Sequence, residues 1–236
     1  MVATPRRDSK PIASFRHTVG LILIQVAIAG VGGYMQSQST ANASPKSQHT
    51  SAVPLYLSLI VMEWALLRYV WAGVRSPKGG GLLELVGGRW NSWRDVLRDV
   101  AIAAPFWVVW EGAAKLMNFL LGPSHLESVD ALLPQSLVEI LLWFALSISA
   151  GICEEIIFRG YLQRQFGALT GNNAVAVIMQ AILFGAAHAY QGWKPVVVIT
   201  GLGALFGVLA VRCKTLRPGM IAHAWADINS GFLKLF

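Results

Sequence analysis

The sequence predicts an all-α protein, a polytopic membrane helical bundle of about seven transmembrane helices, with a polar cavity within the C-terminal four. Three observations predict it. Of 236 residues, 55% are hydrophobic and only 13% are charged, against roughly 25% charged in soluble domains, and the mean hydropathy is +0.53. Apolar runs close to the roughly 20 residues that a helix needs to cross a bilayer recur seven times, at about 18–36, 53–74, 99–121, 137–158, 173–190, 195–212 and 218–235. Finally, the basic residues alternate with those runs. Fourteen Lys and Arg fall before the first run, between the second and third, after the fourth and between the sixth and seventh, while Lys46, Lys194 and Lys234 alone fall on the opposite side. Such a bias places the N-terminus in the cytoplasm.

The segments follow in order. Residues 1–17 form a cytoplasmic N-terminal segment. Residues 18–130 hold the N-terminal membrane helices, with a polar external loop at 35–52 and a cytoplasmic interfacial segment at 76–98 that mixes Gly, Trp and Arg. Residues 131–236 form the helical core of the function. The third run contains Pro105, Glu111 and Lys115, which makes it the least regular span. Ala41-Asn42-Ala43 resembles a signal-peptidase site, but the first run is long for a signal sequence and is read as a retained helix. The net charge of +7 is explained by topology. No basic stripe with interleaved aromatics is present, so nucleic acid is not an expected partner. Cys153 and Cys213 form no C-x-x-C pair, and no disulfide framework is expected.

Ionisable groups deep in apolar segments are costly and point to function. Three places in the C-terminal half carry them: Glu154, Glu155 and Arg159 in GICEEIIFRG; His188 in ILFGAAHAY; and His223 with Asp227 in IAHAWADINSG. Glu155 and Arg159 stand at i and i+4, which puts them on one helix face as an ion pair. Glu154, turned by about 100°, lacks that partner and suits a proton carrier or a metal ligand. His223 and Asp227 again stand at i and i+4. The intervals of 34 residues from Glu154 to His188 and 35 from His188 to His223 each match a helix hairpin, so three neighbouring helices converge on one pocket. Any one of these histidines alone could equally serve a helix–helix hydrogen bond. His17, His49 and His125 lie in polar or flanking segments and receive no chemistry.

The three motifs E-E-x-x-x-R (Glu154, Glu155, Arg159), F-x-x-x-H (Phe184, His188) and H-x-x-x-D (His223, Asp227) resemble those of the CPBP intramembrane proteases, the family of the type II (Rce1-like) CAAX prenyl endopeptidases and bacterial Abi proteins. FRGYLQ after the acids and the Arg-Pro-Gly-Met approach to the last motif are similar to the family's wording. The resemblance covers about 137–235. It implies an all-helical intramembrane endopeptidase, a hydrolase of peptide bonds, with a polar catalytic cavity opening toward the cytosol. Carried over, Glu154 is the general base that activates water with the help of His188. Glu155, Arg159 and Phe184 orient the site, and His223 with Asp227 stabilises the oxyanion. The family's last motif commonly ends in Asn. An ionised Asp227 cannot donate a hydrogen bond, so it is protonated, or orients His223, or joins a metal site. Zinc held by Glu154, His188 and His223 is one expectation and metal-independent water activation the other; two His and a carboxylate suit zinc, but no H-E-x-x-H pair is present.

For these residues to meet, the fourth helix must extend. If it stopped at 158, Glu154 would sit at the cytoplasmic surface while His188 lay about 22 Å into the fifth span. The fourth helix is therefore expected to run on to about Phe166. The expected partners are the lipid bilayer and a membrane-associated or prenylated peptide substrate. Short loops suggest a bacterial inner membrane, where the substrate would be a bacteriocin-related or other membrane peptide. Two other readings remain. A non-catalytic scaffold or immunity protein would not need the buried acids and histidines, and a proton- or metal-coupled transporter would be expected to show inverted repeats.

Overall fold

The computed structural model describes residues 10–41, 51–74, 81–122 and 133–232. Asn42 and Ala43, the rest of the loop to residue 50, residues 1–9 and 76–80, and Lys46, Lys234, His49 and His125 lie outside the described residues. A helix forms at each of the seven apolar runs, and no strand occurs among the described residues. In chain order these are α1 (Phe15–Ala41), α2 (Val53–Val74), the short α3 (Leu82–Val86), α4 (Trp93–Leu121) and α5 (Leu137–Glu154). A π-helical segment (Glu155–Leu162) continues α5 without a break into α6 (Gln163–Thr170). Then come α7 (Asn173–Ala187), a 3-10 turn (Ala189–Gln191), α8 (Trp193–Cys213) and α9 (Arg217–Phe232).

Among the described residues five helices, rather than the seven expected, are long and apolar enough to cross a membrane: Phe15–Met35 of α1, α2, α4, the continuous Leu137–Thr170 helix and α8, while α7 is apolar but too short. This is an integral membrane protein. The fourth helix does extend, past Phe166 to Thr170, where Gly171 at φ 66° ends it in the left-handed conformation. Helix α4 starts at Trp93, earlier than hydropathy places it, because Ser92 and Asp95 form a capping box. Pro105 does not interrupt α4, and Glu111 pairs with Lys115 at 3.3 Å across one turn. The outer face of α4 presents Val108, Val109, Phe119 and Leu120, a surface that matches hydrocarbon.

Polar contacts gather at the two ends of the bundle. At one end Gln165 Oε1 accepts from the backbone N–H of Ile12 at 2.9 Å, and its Nε2 donates to Ala13 O at 3.0 Å. Arg164 donates to Glu84 O and Leu85 O, and Thr215 and Leu216 both donate to Val86 O. Arg217 donates to Arg89 O and pairs with the buried Asp99 at 2.9 Å. Segments from all four groups of residues that the basic bias assigns to one side of the membrane are thus joined in one chain of contacts, although Arg159, counted among them, is buried at the pair with Glu155. At the other end Glu139 accepts from the N–H of Ala52 and of Gln135, each at 2.9 Å, and from Ser51 Oγ at 3.0 Å, fastening the start of α5 to the start of α2.

Between these ends the long helix is buried on every side over its π-helical segment, and Cys153, Ile157, Tyr161 and Leu162 are its apolar centre. Helix α9 lies close against it because residue 151 is Gly. A Cβ there would stand 2.8 Å from Ala224 N and 2.9 Å from Met220 O, which are backbone atoms that cannot rotate away. Gly151→Leu is therefore expected to force the two helices apart, at a cost of about 2 kcal/mol or more. It should lower the midpoint of thermal unfolding in detergent by about 5 °C.

Candidate active site

The acids of GICEEIIFRG fall where α5 changes to π-helical winding. At the end of that segment the N–H of Gln163 bonds to Phe158 O, five residues back. Widened turns of this kind often mark functional sites. Here the widened segment carries Glu155 and Arg159, and its capping residue Gln163, along one buried face. Arg159 Nη2 donates to Gly203 O at 3.3 Å and Gln163 Nε2 donates to Gly207 O at 3.0 Å, so successive turns of the two helices are stitched together. Gly203 O also accepts from Gln180 Nε2 at 3.0 Å, using the carbonyl's second lone pair.

Glu155 and Arg159 form the expected pair. Arg159 Nη1 lies 2.9 Å from Glu155 Oε1, and both side chains are sealed from solvent. The guanidinium lies between two rings, 4.2 Å from the centroid of Phe184 and 5.2 Å from that of Phe206, an arrangement in which a desolvated cation is attracted by the ring faces. Glu155 does more than hold Arg159. Its Oε1 also receives His223 Nδ1 at 3.1 Å, so a single carboxylate links the first motif to the last. Gly219, in the Arg-Pro-Gly-Met approach, makes room for it: a Cβ at 219 would lie 3.1 Å from Glu155 Oε2.

The other ring nitrogen of His223 faces two more acids. Nε2 stands 3.6 Å from Glu154 Oε2 and 3.6 Å from Asp227 Oδ2. Both separations exceed a hydrogen bond, and both acids keep some exposure, 22% for the Glu154 side chain and 36% for that of Asp227. Glu154 is therefore not without a partner, as spacing along one helix suggested, because α9 supplies His223. Asp227 lies beside the ring of His223, and its backbone O accepts from Trp143 Nε1 at 3.0 Å.

His188 reaches the cluster by a different route. It caps the C-terminus of α7, and its Nδ1 lies 2.8 Å from Phe184 O. A carbonyl only accepts, so Nδ1 carries the hydrogen in this contact. No direct polar contact joins His188 to the acids or to His223 among the described residues. The Phe184 ring connects them instead, with its centroid 5.0 Å from that of His188, 6.0 Å from that of His223 and 5.0 Å from that of Phe158. Phe184 is thus the hub on which all three motifs meet.

Among the described residues no three His, Cys, Asp or Glu side chains are grouped to hold a metal ion. The donor chemistry agrees with that geometry: His223 has carboxylates at both ring nitrogens, and His188 does not share a point with Glu154 and His223. The residues as placed do not fit a zinc site built from Glu154, His188 and His223.

The structure adds residues to the site. Glu63 of α2, buried in the middle of an apolar span, lies within electrostatic reach of Glu154, Asp227 and His223. The sequence signal for it was the same intramembrane acid rule that picked out Glu154, applied to the N-terminal half. Phe206, whose centroid is 5.2 Å from that of His223, and Gln180 carry no such signal, since an aromatic or a Gln in a span is ordinary.

No curated protein and no solved structure matches the chain. One family does: residues 135–229 match the family model of the Type II CAAX prenyl endopeptidases, Rce1-like. That stretch contains Glu154, Glu155, Arg159, Phe184, His188, His223 and Asp227, and the family is one of CAAX-type intramembrane proteases. The stretch that builds the polar cluster is thus similar to the Rce1-like family over residues 135–229, and it is set in an integral membrane protein.

Proposed function

We propose that the protein is an intramembrane endopeptidase that hydrolyses a peptide bond with carboxylate-activated water, similar to the endopeptidases that remove the last three residues of prenylated C-a-a-X proteins. The observation that carries this reading is the grip on His223. With Glu155 at Nδ1, the ring turns Nε2 toward the gap between Glu154 and Asp227, where a reacting carbonyl can sit.

In this mechanism Glu154 takes a proton from water as the water oxygen attacks the carbonyl carbon. His223, doubly protonated, donates Nδ1–H to Glu155 and Nε2–H to the oxyanion that forms. Asp227 orients the ring and does not itself donate. The C–N bond then breaks, and the proton held by Glu154 passes to the leaving amine. His188 assists through Nε2, the ring nitrogen not engaged with Phe184 O, and Arg159 holds Glu155 in place. No step is routed through a metal. The N-terminus is cytoplasmic, and the contacts among residues 12–13, 82–89, 164–165 and 215–217 support that orientation because they gather the basic segments at one end.

The test is cleavage of a fluorogenic prenylated C-a-a-X peptide by the full chain in detergent, with and without a chelator. Wild type should cleave equally in both conditions, and His188→Ala should be slower by about 100-fold. Cleavage that a chelator abolishes would replace this mechanism with a metal-dependent one. Full activity in His188→Ala would remove His188 from the site.

A further inference from the structure

Glu63 has the least explained environment of any charged residue in the bundle. Its side chain is nearly sealed from solvent, at 7% exposure. Among the described residues no cation lies within ion-pair distance of it. Its hydrogen-bond partner is Ser149 Oγ, which donates to Glu63 Oε2 from α5, two turns before the π-helical segment. The titratable groups that face it are Cys153 and Glu154 from the long helix and His223 and Asp227 from α9.

Charge counting shows what this position demands. Four carboxyl groups, Glu63, Glu154, Glu155 and Asp227, surround two groups that can be positive, Arg159 and His223. Arg159 is matched by Glu155, and Glu154 and Asp227 both turn toward His223 and retain some solvent. Glu63 has no cation within ion-pair distance among the described residues and is only 7% exposed. An unmatched charge in such a place is far more costly than a neutral, hydrogen-bonded acid.

We propose that Glu63, on a helix outside the matched segment, is a positioning residue of this site: a proton-carrying carboxyl that, seated on Ser149, keeps surplus negative charge away from the oxyanion position beside His223. The role deepens the peptidase reading and rests on it. As pH rises Glu63 loses its proton, a fourth carboxylate then faces the site, and the developing oxyanion is repelled. Glu63 thereby sets part of the alkaline limb of activity.

Two measurements on the full chain in lipid nanodiscs test this. The first needs no substrate. Infrared difference spectra should show a protonated carboxyl band at neutral pH that Glu63→Gln removes. In Glu154→Gln the same band should titrate about one pH unit lower, because a neighbouring negative charge is gone. The second is the pH profile of peptide cleavage, read by the position of its alkaline limb. In Glu63→Gln, which cannot ionise, the limb should move up by about one pH unit or more, and in Glu63→Asp it should persist. A purely structural hydrogen bond to Ser149 would leave the limb in place in Glu63→Gln and would overturn the proposal, as would a carboxyl band that survives that substitution. If wild type cleaves no peptide yet the band behaves as described, the peptidase reading fails while the proton on Glu63 stands.

Discussion

Glu154→Gln is expected to lower kcat/KM for a cleavable peptide by about 1,000-fold while leaving the midpoint of thermal unfolding nearly unchanged. The two halves of this expectation come from the same geometry. Glu154 keeps 22% of its side-chain exposure, and its nearest polar partner, His223 Nε2, is at 3.6 Å, too far for a hydrogen bond that would hold the fold together. Gln preserves the shape but cannot take a proton from water. Cleavage kinetics and a thermal melt on the same preparation decide the matter. Residual cleavage within tenfold of wild type would assign the base to another group, with Asp227 next in line.

Arg159→Met should do the reverse damage. Removing one member of a buried ion pair costs about 3–5 kcal/mol, because the remaining charge is left unmatched. Here the remaining charge is Glu155, 1% exposed. For a chain of this size the midpoint should fall by roughly 10 °C. Arg159→Lys should recover only part of it, since an ammonium cannot lie flat between Phe184 and Phe206 while reaching both Glu155 and Gly203 O. The double variant Arg159→Met/Glu155→Gln should be more stable than the single one, because no uncompensated charge is buried. A single variant as stable as wild type would show that the pair contributes nothing to the fold. Activity should be lost in the double variant, for His223 loses the carboxylate at its Nδ1, and should fall in the two single ones, where Glu155 loses the cation that holds it in place.

Much of this was legible in the sequence because membrane helices obey strong local rules. The helical segments, the pairing of Glu155 with Arg159, and the extension of the fourth helix to about Phe166 follow from spacing and from the cost of charge in hydrocarbon, whereas hydropathy read seven spans and five helices among the described residues are long and apolar enough. The winding of Glu155–Leu162 was not legible. Helix periodicity assumes 3.6 residues per turn, and the widened turn is held by contacts with Gly203 and Gly207, 44 residues away. The double use of Glu155 was hidden for a similar reason: helix spacing relates Glu155 to Arg159 but is silent about His223, 68 residues later. Glu154 was read as lacking a partner because its partner arrives on another helix. The placement of Glu63 needed tertiary structure, since only the packing of α2 against α5 shows which acids share a field.

The separation of those partners along the chain also orders events during synthesis. Glu155 and Arg159 are four residues apart, so they can neutralise each other as soon as their own helix leaves the translocon, reducing a penalty that would otherwise be about 2.5–3.5 kcal/mol for each charge. His223, 68 residues further on, enters the bilayer later, with Asp227 on the same helix, and joins a long helix whose two acids are already in place. Until it does, Glu154 has no ring to face. The nascent chain therefore carries the acid that activates water before it carries the group that stabilises the oxyanion, and the complete constellation exists only once α9 has docked.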